Sequence, residues 1–227
     1  MRRVDQFETE AARPPARERM FNAPWTILVI CVGLVVLYGL QSMTVSDAEV
    51  MALGLTPAAL WSGHWDRLFT SLFLHGSWPH VLMNSVAALA FGPPTARLFG
   101  GRARGAAAFF AYYLACGALA GVGFVLAAPH DVVPVVGASG AISGLLGGSS
   151  RLIEGRGRIG SPLGSTVLGM GAAWVIVNVA LGVSGLTPGA EGMPVAWQAH
   201  IAGYLAGVLL VGAFARLAGA PSAAFAR

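Results

Sequence analysis

Residues Val135–Gly148 read VVGASGAISGLLGG, an apolar stretch that two serines, Ser139 and Ser143, interrupt. A glycine follows each serine directly. Small residues of this kind are ordinary where two helices pack closely, because they let the backbones approach one another. A serine can also be a nucleophile at a place that little water reaches. The rest of the sequence has to decide between these two interpretations.

The composition is that of a membrane protein. Hydrophobic residues make up 56% of the 227 residues and charged residues only 11%, and the mean hydropathy is +0.68. This leaves too little charge to cover a water-soluble surface. All fourteen basic residues are arginines that lie in short loops and tails. This distribution is typical of residues that set the orientation of a membrane protein, and it does not indicate a nucleic acid partner. Cys31 and Cys116 lie in apolar runs and indicate no disulfide.

Six apolar runs predict six membrane-spanning helices, since each approaches the roughly 20 residues that cross a bilayer. The predicted spans are about Trp25–Leu40, Trp78–Leu98, Gly105–Ala128, Val135–Ile153, Leu163–Val183 and Val195–Leu217. We expect an all-α polytopic bundle over residues 25–218, with short tails over 1–24 and 219–227. The first span is interpreted as an uncleaved signal anchor, because no small-residue cleavage site follows it.

The arginines predict the orientation of the bundle. Thirteen of them lie in the two tails and in the connections between spans two and three and between spans four and five; Arg67 is alone on the other side. The positive-inside rule therefore predicts that both termini are cytoplasmic and that residues 41–77 form an external loop. Its apolar and aromatic content favours a loop that packs down at the interface. The exclusive use of arginine suggests a bacterial cytoplasmic membrane.

Six polar side chains are conspicuous inside the predicted spans, where each is costly and marks a candidate functional site. They are His80, Asn84, Ser139, Ser143, Asn178 and His200. Spans two, four and six all run inward, so His80, Asn84, Ser139 and His200 are predicted to share one depth near the outer face. A random scatter of tolerated polar residues would not be expected to do so.

The helical phases of these spans agree with one shared site. His80 and Asn84 are four residues apart and point the same way. Span four carries glycines at 140, 144 and 148, and span six carries them at 203 and 207. His200 lies on the glycine face of span six. If the two glycine faces pack together, Ser139 and His200 come within hydrogen-bond reach.

Such a pair has a chemical use. A serine hydroxyl needs an adjacent base, and neutral imidazole is the usual one. No carboxylate lies at this depth to orient the imidazole, so we predict a dyad with Ser139 as nucleophile and His200 as general base and then acid. His80, Asn84 and the backbone N–H of Ser139 would donate to the oxyanion. Water is the second substrate, so the chemistry implies no cofactor.

Three segments together resemble the rhomboid family of intramembrane serine proteases in its basic six-span form. They are GASGAISGLLG (Gly137–Gly147), AHIAGYLAG (Ala199–Gly207) and HGSWPHVLMN (His75–Asn84), and the likeness runs from about Trp65 to Gly207. The resemblance implies a catalytic dyad of Ser139 and His200, an oxyanion hole lined by His80 and Asn84, and cleavage of transmembrane segments near the outer face. WDRLF (Trp65–Phe69) resembles a structural element of the family's first external loop.

Three positions depart from the family pattern. Ser143 stands where many members carry an aromatic residue that packs on the catalytic histidine. Ala96 stands where many have a glutamate, and Ala202 replaces a frequent glycine. None of them touches the reacting atoms, so we expect a changed stability or rate and no loss of chemistry.

Other roles are open to these side chains. Ser139 could only pack, His80 could reach toward the membrane surface, and Asn84 could bond a neighbouring helix. Ser143 and Asn178 are interpreted as packing or hydrogen-bonding residues. His64, His75 and His130 are expected to be surface or loop-anchoring residues. A metal site built from His75, His80 and His200 is disfavoured, because no carboxylate or thiolate joins them and a His-Glu-x-x-His helix is missing from the sequence.

The alternative function is a catalytically inactive rhomboid-like factor that binds membrane proteins or controls their quality. Such a protein need keep neither the serine nor the histidine, so their joint presence favours the protease. A transporter or channel ranks third, because no polar path continues to the inner side. The expected partners are a substrate with a transmembrane segment and the lipid bilayer; the substrate's identity and the oligomeric state stay open. Gly182–Pro194 is expected to be a mobile cover over the site.

Overall fold

The computed structural model describes residues 23–185 and 195–225, which form ten α-helices and no β-strand. They are α1 (Trp25–Thr44), α2 (Asp47–Leu53), α3 (Pro57–Trp61), α4 (Arg67–Thr70), α5 (Trp78–Phe91), α6 (Pro93–Phe99), α7 (Ala103–Ala127), α8 (Ser139–Glu154), α9 (Ser165–Ser184) and α10 (Trp197–Ala218). Four of them, α1, α7, α9 and α10, are long and apolar enough to cross a membrane. The predicted class, an all-α membrane protein, is confirmed.

The second and fourth predicted spans are shorter than expected. The run Trp78–Leu98 divides into α5 and α6 at Gly92, where Pro93 and Pro94 cannot continue a helix because proline lacks the N–H and crowds the preceding turn. The helix of the fourth predicted span is α8, which begins at Ser139, four residues after the expected start. At 1.5 Å per residue, α5 and α8 are about 21 Å and 24 Å long. The count of six spans therefore stays a prediction.

The centre of the molecule is formed by α7, α8 and α10. Twelve of the sixteen residues of α8 are buried. In contrast, α9 buries only Val167 and Asn178 among its twenty residues. The helix that carries Ser139 is thus the innermost one, whereas α9 lies at the periphery.

The backbones of α8 and α10 touch directly at glycines. A Cβ atom on Gly203 would collide with the carbonyl oxygen of Gly140, and one on Gly207 would collide with that of Gly144. The glycine face of α10 therefore packs on the backbone of α8 as expected, whereas the Cβ positions of the two α8 glycines point first at α7. In a membrane this close approach matters, since helices there associate mainly through packing and hydrogen bonds.

The third glycine of the predicted stripe does not take part in this contact. A four-residue repeat drifts by about 40° per step around a helix of 3.6 residues per turn. Gly148 consequently faces the hydroxyl of Tyr112 on α7, and Gly147 takes its place against the carbonyl group of Tyr204 on α10.

Tyr112 ties α7 to both central helices at one level. Its side chain is fully buried, and its hydroxyl lies 2.8 Å from the carbonyl oxygen of Gly144 and 3.1 Å from that of Gly207. A tyrosine inside an apolar core usually finds such a partner. The sequence does not predict this role for Tyr112, because it does not show which carbonyl groups the hydroxyl meets.

The segment between α1 and α5 packs against the bundle as predicted. It contains α2, α3 and α4, and its Leu55 and Leu68 join a buried cluster with Phe124 of α7. Arg67 donates a hydrogen bond to the carbonyl oxygen of Gly54 at 3.2 Å. The arginine of the WDRLF element therefore links α4 to the end of α2.

The glycine contact predicts a stability difference between two variants. Gly207→Ala should lower the free energy of unfolding by about 1–3 kcal/mol, because the methyl group forces α10 away from α8. Gly169→Ala on α9 is the matched control, since no atom lies within 4 Å of the added Cβ; it should be neutral or slightly stabilising. Thermal unfolding in detergent measures both. Equal melting temperatures for the two variants would show that the contact does not stabilise the bundle.

Candidate active site

Ser139 and His200 meet at the outer ends of α8 and α10. Ser139 is the first residue of α8, and His200 lies in the first turn of α10. The Oγ atom of Ser139 is 2.7 Å from Nε2 of His200. Both residues are half-buried, so a reactant can reach them. A hydroxyl this close to an imidazole nitrogen is the geometry of a nucleophile beside its base.

The chain before Ser139 is held in place by backbone hydrogen bonds. Val135 and Leu55 exchange N–H···O bonds of 2.8 and 2.9 Å, and the N–H of Gly137 donates to the carbonyl oxygen of Ser71 at 2.9 Å. Gly137 has a φ of +108°, which L side chains rarely adopt. Because of these constraints, the extended segment ends at Gly137 and α8 begins at Ser139.

His80 and Asn84 lie on the face of α5 that packs against this turn, as their spacing predicts. A Cβ atom on Gly137 would lie 2.7 Å from Nε2 of His80 and 3.5 Å from Nδ2 of Asn84. Asn84 is only 4% exposed. Both side chains therefore border the backbone two residues before Ser139.

Backbone amides at the start of α8 are the third kind of donor here. The first hydrogen bond into the helix runs from the N–H of Ile142 to the carbonyl oxygen of Ala138. The amides of the three preceding residues lie before that bond, and the first N–H groups of a helix have no partner within it. The positive end of the helix dipole adds to the same region.

His75 anchors the entrance to α5. Its backbone pairs with the Gln41 side chain in both directions, at 2.6 and 3.1 Å, and its ring lies 5.1 Å from that of His80 between centroids. Burial, with a smaller effect of His80, lowers the pKa of His75 to about 3, so the ring is neutral. Of its two expected roles, loop anchoring is therefore the one that fits. His64 and His130 are exposed.

The described part of the chain contains no group of three His, Cys, Asp or Glu side chains that could hold a metal ion. Cys31 and Cys116 are both buried and free. The side chains around Ser139 carry imidazole and amide groups.

A residue of α9 contacts the other side of the imidazole. The Oδ1 atom of Asn178 lies 2.5 Å from Nδ1 of His200, and its Nδ2 atom donates to the carbonyl oxygen of Trp174 at 2.8 Å. The sequence offers no carboxylate at this depth to orient the imidazole, and it predicts only packing or hydrogen bonding for Asn178. The available signal was the four-residue spacing of Trp174 and Asn178, which places both on one helix face.

The structure shows the surroundings of the three residues that depart from the family pattern. The Ser143 hydroxyl donates to the backbone carbonyl of Ser139 at 2.8 Å and so contributes to the first turn of α8. The methyl group of Ala202 occupies the space over Gly123 of α7, where an added Cβ would collide with it. Ala96 is buried.

Part of the predicted cover lies outside the described residues. Of Gly182–Pro194, the structure describes only 182–185. The expectation of a mobile cover therefore stays a prediction.

Four apolar helices and a half-buried serine–histidine pair define an integral membrane protein with a candidate hydrolytic site. The Rhomboid domain family model matches residues 62–217, well over half of the sequence. The chain therefore belongs to the rhomboid family.

Two curated relatives match a shorter part of the chain. An 86-residue stretch is 40% identical to "Putative rhomboid protease YdcA" of Bacillus subtilis (strain 168), covering 38% of this chain and 40% of that protein. An 87-residue stretch is 37% identical to "RHOMBOID-like protein 9, chloroplastic" of Arabidopsis thaliana, covering 38% of this chain and 18% of that protein. The matched part thus spans less than half of either relative.

Two glycines with positive φ allow the contact at His80 to be tested. Gly137→Ala should destabilise the protein by more than Gly63→Ala. Both positions have similar φ values, +108° and +94°, but only Gly137 has the His80 ring against it. The shared backbone strain costs about 1–2 kcal/mol, and displacement of His80 adds to it for Gly137→Ala. Thermal unfolding in detergent measures the difference, and equal losses would mean that His80 does not pack on this turn.

Proposed function

We propose that this protein is an intramembrane serine endopeptidase that cleaves membrane-spanning segments of other proteins. The observation that carries the proposal is the 2.7 Å contact between Ser139 Oγ and His200 Nε2 in a half-buried site. Membership of the rhomboid family supports it. So does the set of donors on one side of Ser139, which a reaction through an oxyanion requires.

In the first step Ser139 attacks the carbonyl carbon of the substrate's peptide bond. Nε2 of His200 takes the hydroxyl proton as the new C–O bond forms. The carbonyl oxygen becomes an oxyanion, which His80, Asn84 and the amides at the start of α8 stabilise by donating hydrogen bonds. Losing one such donor typically slows a reaction of this kind by about 10²–10³-fold.

In the second step the C–N bond breaks and the imidazolium gives its proton to the leaving nitrogen. The amino fragment departs, and the other fragment remains as an ester on Ser139. A water molecule then gives a proton to His200 and attacks the ester carbon. The proton returns to Ser139 Oγ as the carboxyl fragment leaves, so the net reaction is hydrolysis and needs no cofactor.

The substrate has to be unwound before it can be cut. Peptide bonds inside a helix are hidden by its own hydrogen bonds and side chains, so an extended segment must reach Ser139. Glycine, proline or other helix-breaking residues near the cut should therefore favour cleavage.

The proposed orientation has six spans, both termini in the cytoplasm and a site that opens to the external side of a bacterial cytoplasmic membrane. The arginine distribution supports it. At about 24 Å, α8 is shorter than the roughly 30 Å hydrocarbon core. A helix of this length that ends near the inner interface places Ser139 below the outer one, within reach of a substrate's membrane segment.

The experiment is cleavage of a model single-span substrate by the purified protein in detergent. Ser139→Ala and His200→Ala should each abolish the cut, because one removes the nucleophile and the other its base. Ser85→Ala and His64→Ala are the matched controls: Ser85 is a buried serine whose hydroxyl bonds its own helix, and His64 is exposed. Both should cleave at the wild-type rate, and mass spectrometry should place the cut near the outer end of the substrate's span.

Cleavage by Ser139→Ala at the wild-type rate would contradict the mechanism. A wild-type protein that is inert on several substrates would favour the alternative, a catalytically inactive factor that binds membrane proteins.

A further inference from the structure

Asn178 is an unusual residue for its helix. It is 3% exposed, whereas most of α9 faces outward, and its amide lies on the side of His200 opposite Ser139. A polar side chain buried among apolar groups is costly unless it is hydrogen-bonded. Both ends of this amide are bonded, one to His200 and the other to the backbone of Trp174.

The bond to Trp174 decides which way the amide points. The carbonyl oxygen of Trp174 can only accept, so the NH₂ end of Asn178 must face it, at 2.8 Å. The Oδ1 atom is then left to face Nδ1 of His200. The orientation of the amide thus follows from the hydrogen-bond network.

The orientation of the amide also fixes the proton on the imidazole. An amide oxygen is an acceptor only, so Nδ1 of His200 must carry the hydrogen. A neutral imidazole with its hydrogen on Nδ1 has its free lone pair on Nε2. Nε2 is the atom that lies 2.7 Å from Ser139 Oγ, so the hydroxyl donates to it.

We propose that Asn178 is a positioning residue that holds His200 in the tautomer and ring orientation needed to take the proton of Ser139. The inference rests on the proposed function and adds a supporting residue to the proposed pair. When Nε2 takes the proton, the Nδ1–H remains bonded to Asn178, so the ring keeps its direction while the proton passes to the leaving nitrogen. A neutral amide does this without placing a carboxylate at membrane depth, where a charge is costly.

Trp174 reinforces the same support from α9. Its indole Nε1–H lies 3.4 Å from the backbone carbonyl oxygen of His200, and its ring is tilted by 38° to the imidazole with the centroids 6.3 Å apart. Ser143 gives no such support, since its hydroxyl donates to the backbone of Ser139. In this chain the side chains that support the imidazole are therefore those of Asn178 and Trp174 on α9.

Two substitutions of Asn178 separate positioning from packing. Asn178→Leu keeps the branching of the side chain at a larger volume and removes the acceptor, whereas Asn178→Asp keeps an acceptor oxygen at the same place. With the model single-span substrate, Asn178→Leu should lower kcat about 10- to 100-fold and leave KM within about twofold, as expected when an orienting hydrogen bond is lost. Asn178→Asp should recover most of the lost kcat.

Val167→Ala is the control for a structural effect, since Val167 is the other buried residue of α9. It should lower the melting temperature and leave kcat unchanged. Wild-type kcat in Asn178→Leu would overturn the inference. So would an equal loss of kcat in Asn178→Leu and Asn178→Asp that follows their melting temperatures.

The tautomer can be measured without any substrate. ¹⁵N-histidine NMR of the full chain in detergent, with the His200 signals assigned by their loss in His200→Ala, should show a protonated Nδ1 and an unprotonated Nε2. Asn178→Leu should shift His200 toward a mixture of tautomers. An Nε2-protonated His200 in the wild type would overturn the inference, even if the protein cleaves. A Nδ1-protonated ring in an inert protein would count against the proposed function and support the contact with Asn178.

Discussion

The direct contact between the backbones of α8 and α10 is the constraint on which the rest of the structure depends. Only hydrogen fits at Gly203 and Gly207, where a Cβ atom would collide with carbonyl oxygens of α8. Ser139 is adjacent to the first of these contacts, and His200 lies one turn before Gly203 on the same face of α10. A separation larger by one side chain would break the 2.7 Å contact between hydroxyl and imidazole.

The proposed reaction starts from neutral groups. Hydroxyl, imidazole and amide groups can be satisfied by hydrogen bonds at membrane depth, whereas an isolated carboxylate there would be costly. Charge develops only during the proposed reaction, as imidazolium and oxyanion. The proposal assigns the start of α8 and the side chains of α5 to the oxyanion, and the amide of Asn178 to the imidazolium.

Much of this arrangement could be predicted from the sequence, because it depends on composition and on the phase of single helices. The apolar composition gave the membrane class, and the spacing of His200 with Gly203 and Gly207 gave the face that packs on α8. Pro93 and Pro94 also indicate a break after Gly92. The prediction of one span missed this break because the apolar run continues through the two prolines.

The remaining features depend on contacts between distant parts of the chain. Helix α8 starts at Ser139 because Val135 pairs with Leu55 and Gly137 adopts a positive φ, and neither is visible in a hydropathy pattern. The role of Asn178 depends on which face of α9 meets α10. The sequence shows an amide within an apolar run there, but only the fold shows that His200 is its partner.

The most direct test of the central claim is the reactivity of Ser139 itself. The intact protein in detergent is treated with a fluorophosphonate, and the modified residue is located by mass spectrometry. The account predicts an adduct on Ser139 that is lost in His200→Ala and after unfolding, because the hydroxyl reacts only when the packing of α8 on α10 holds it against the imidazole. A Ser139 that remains unmodified in the folded wild type, or that reacts equally well without His200, would contradict it.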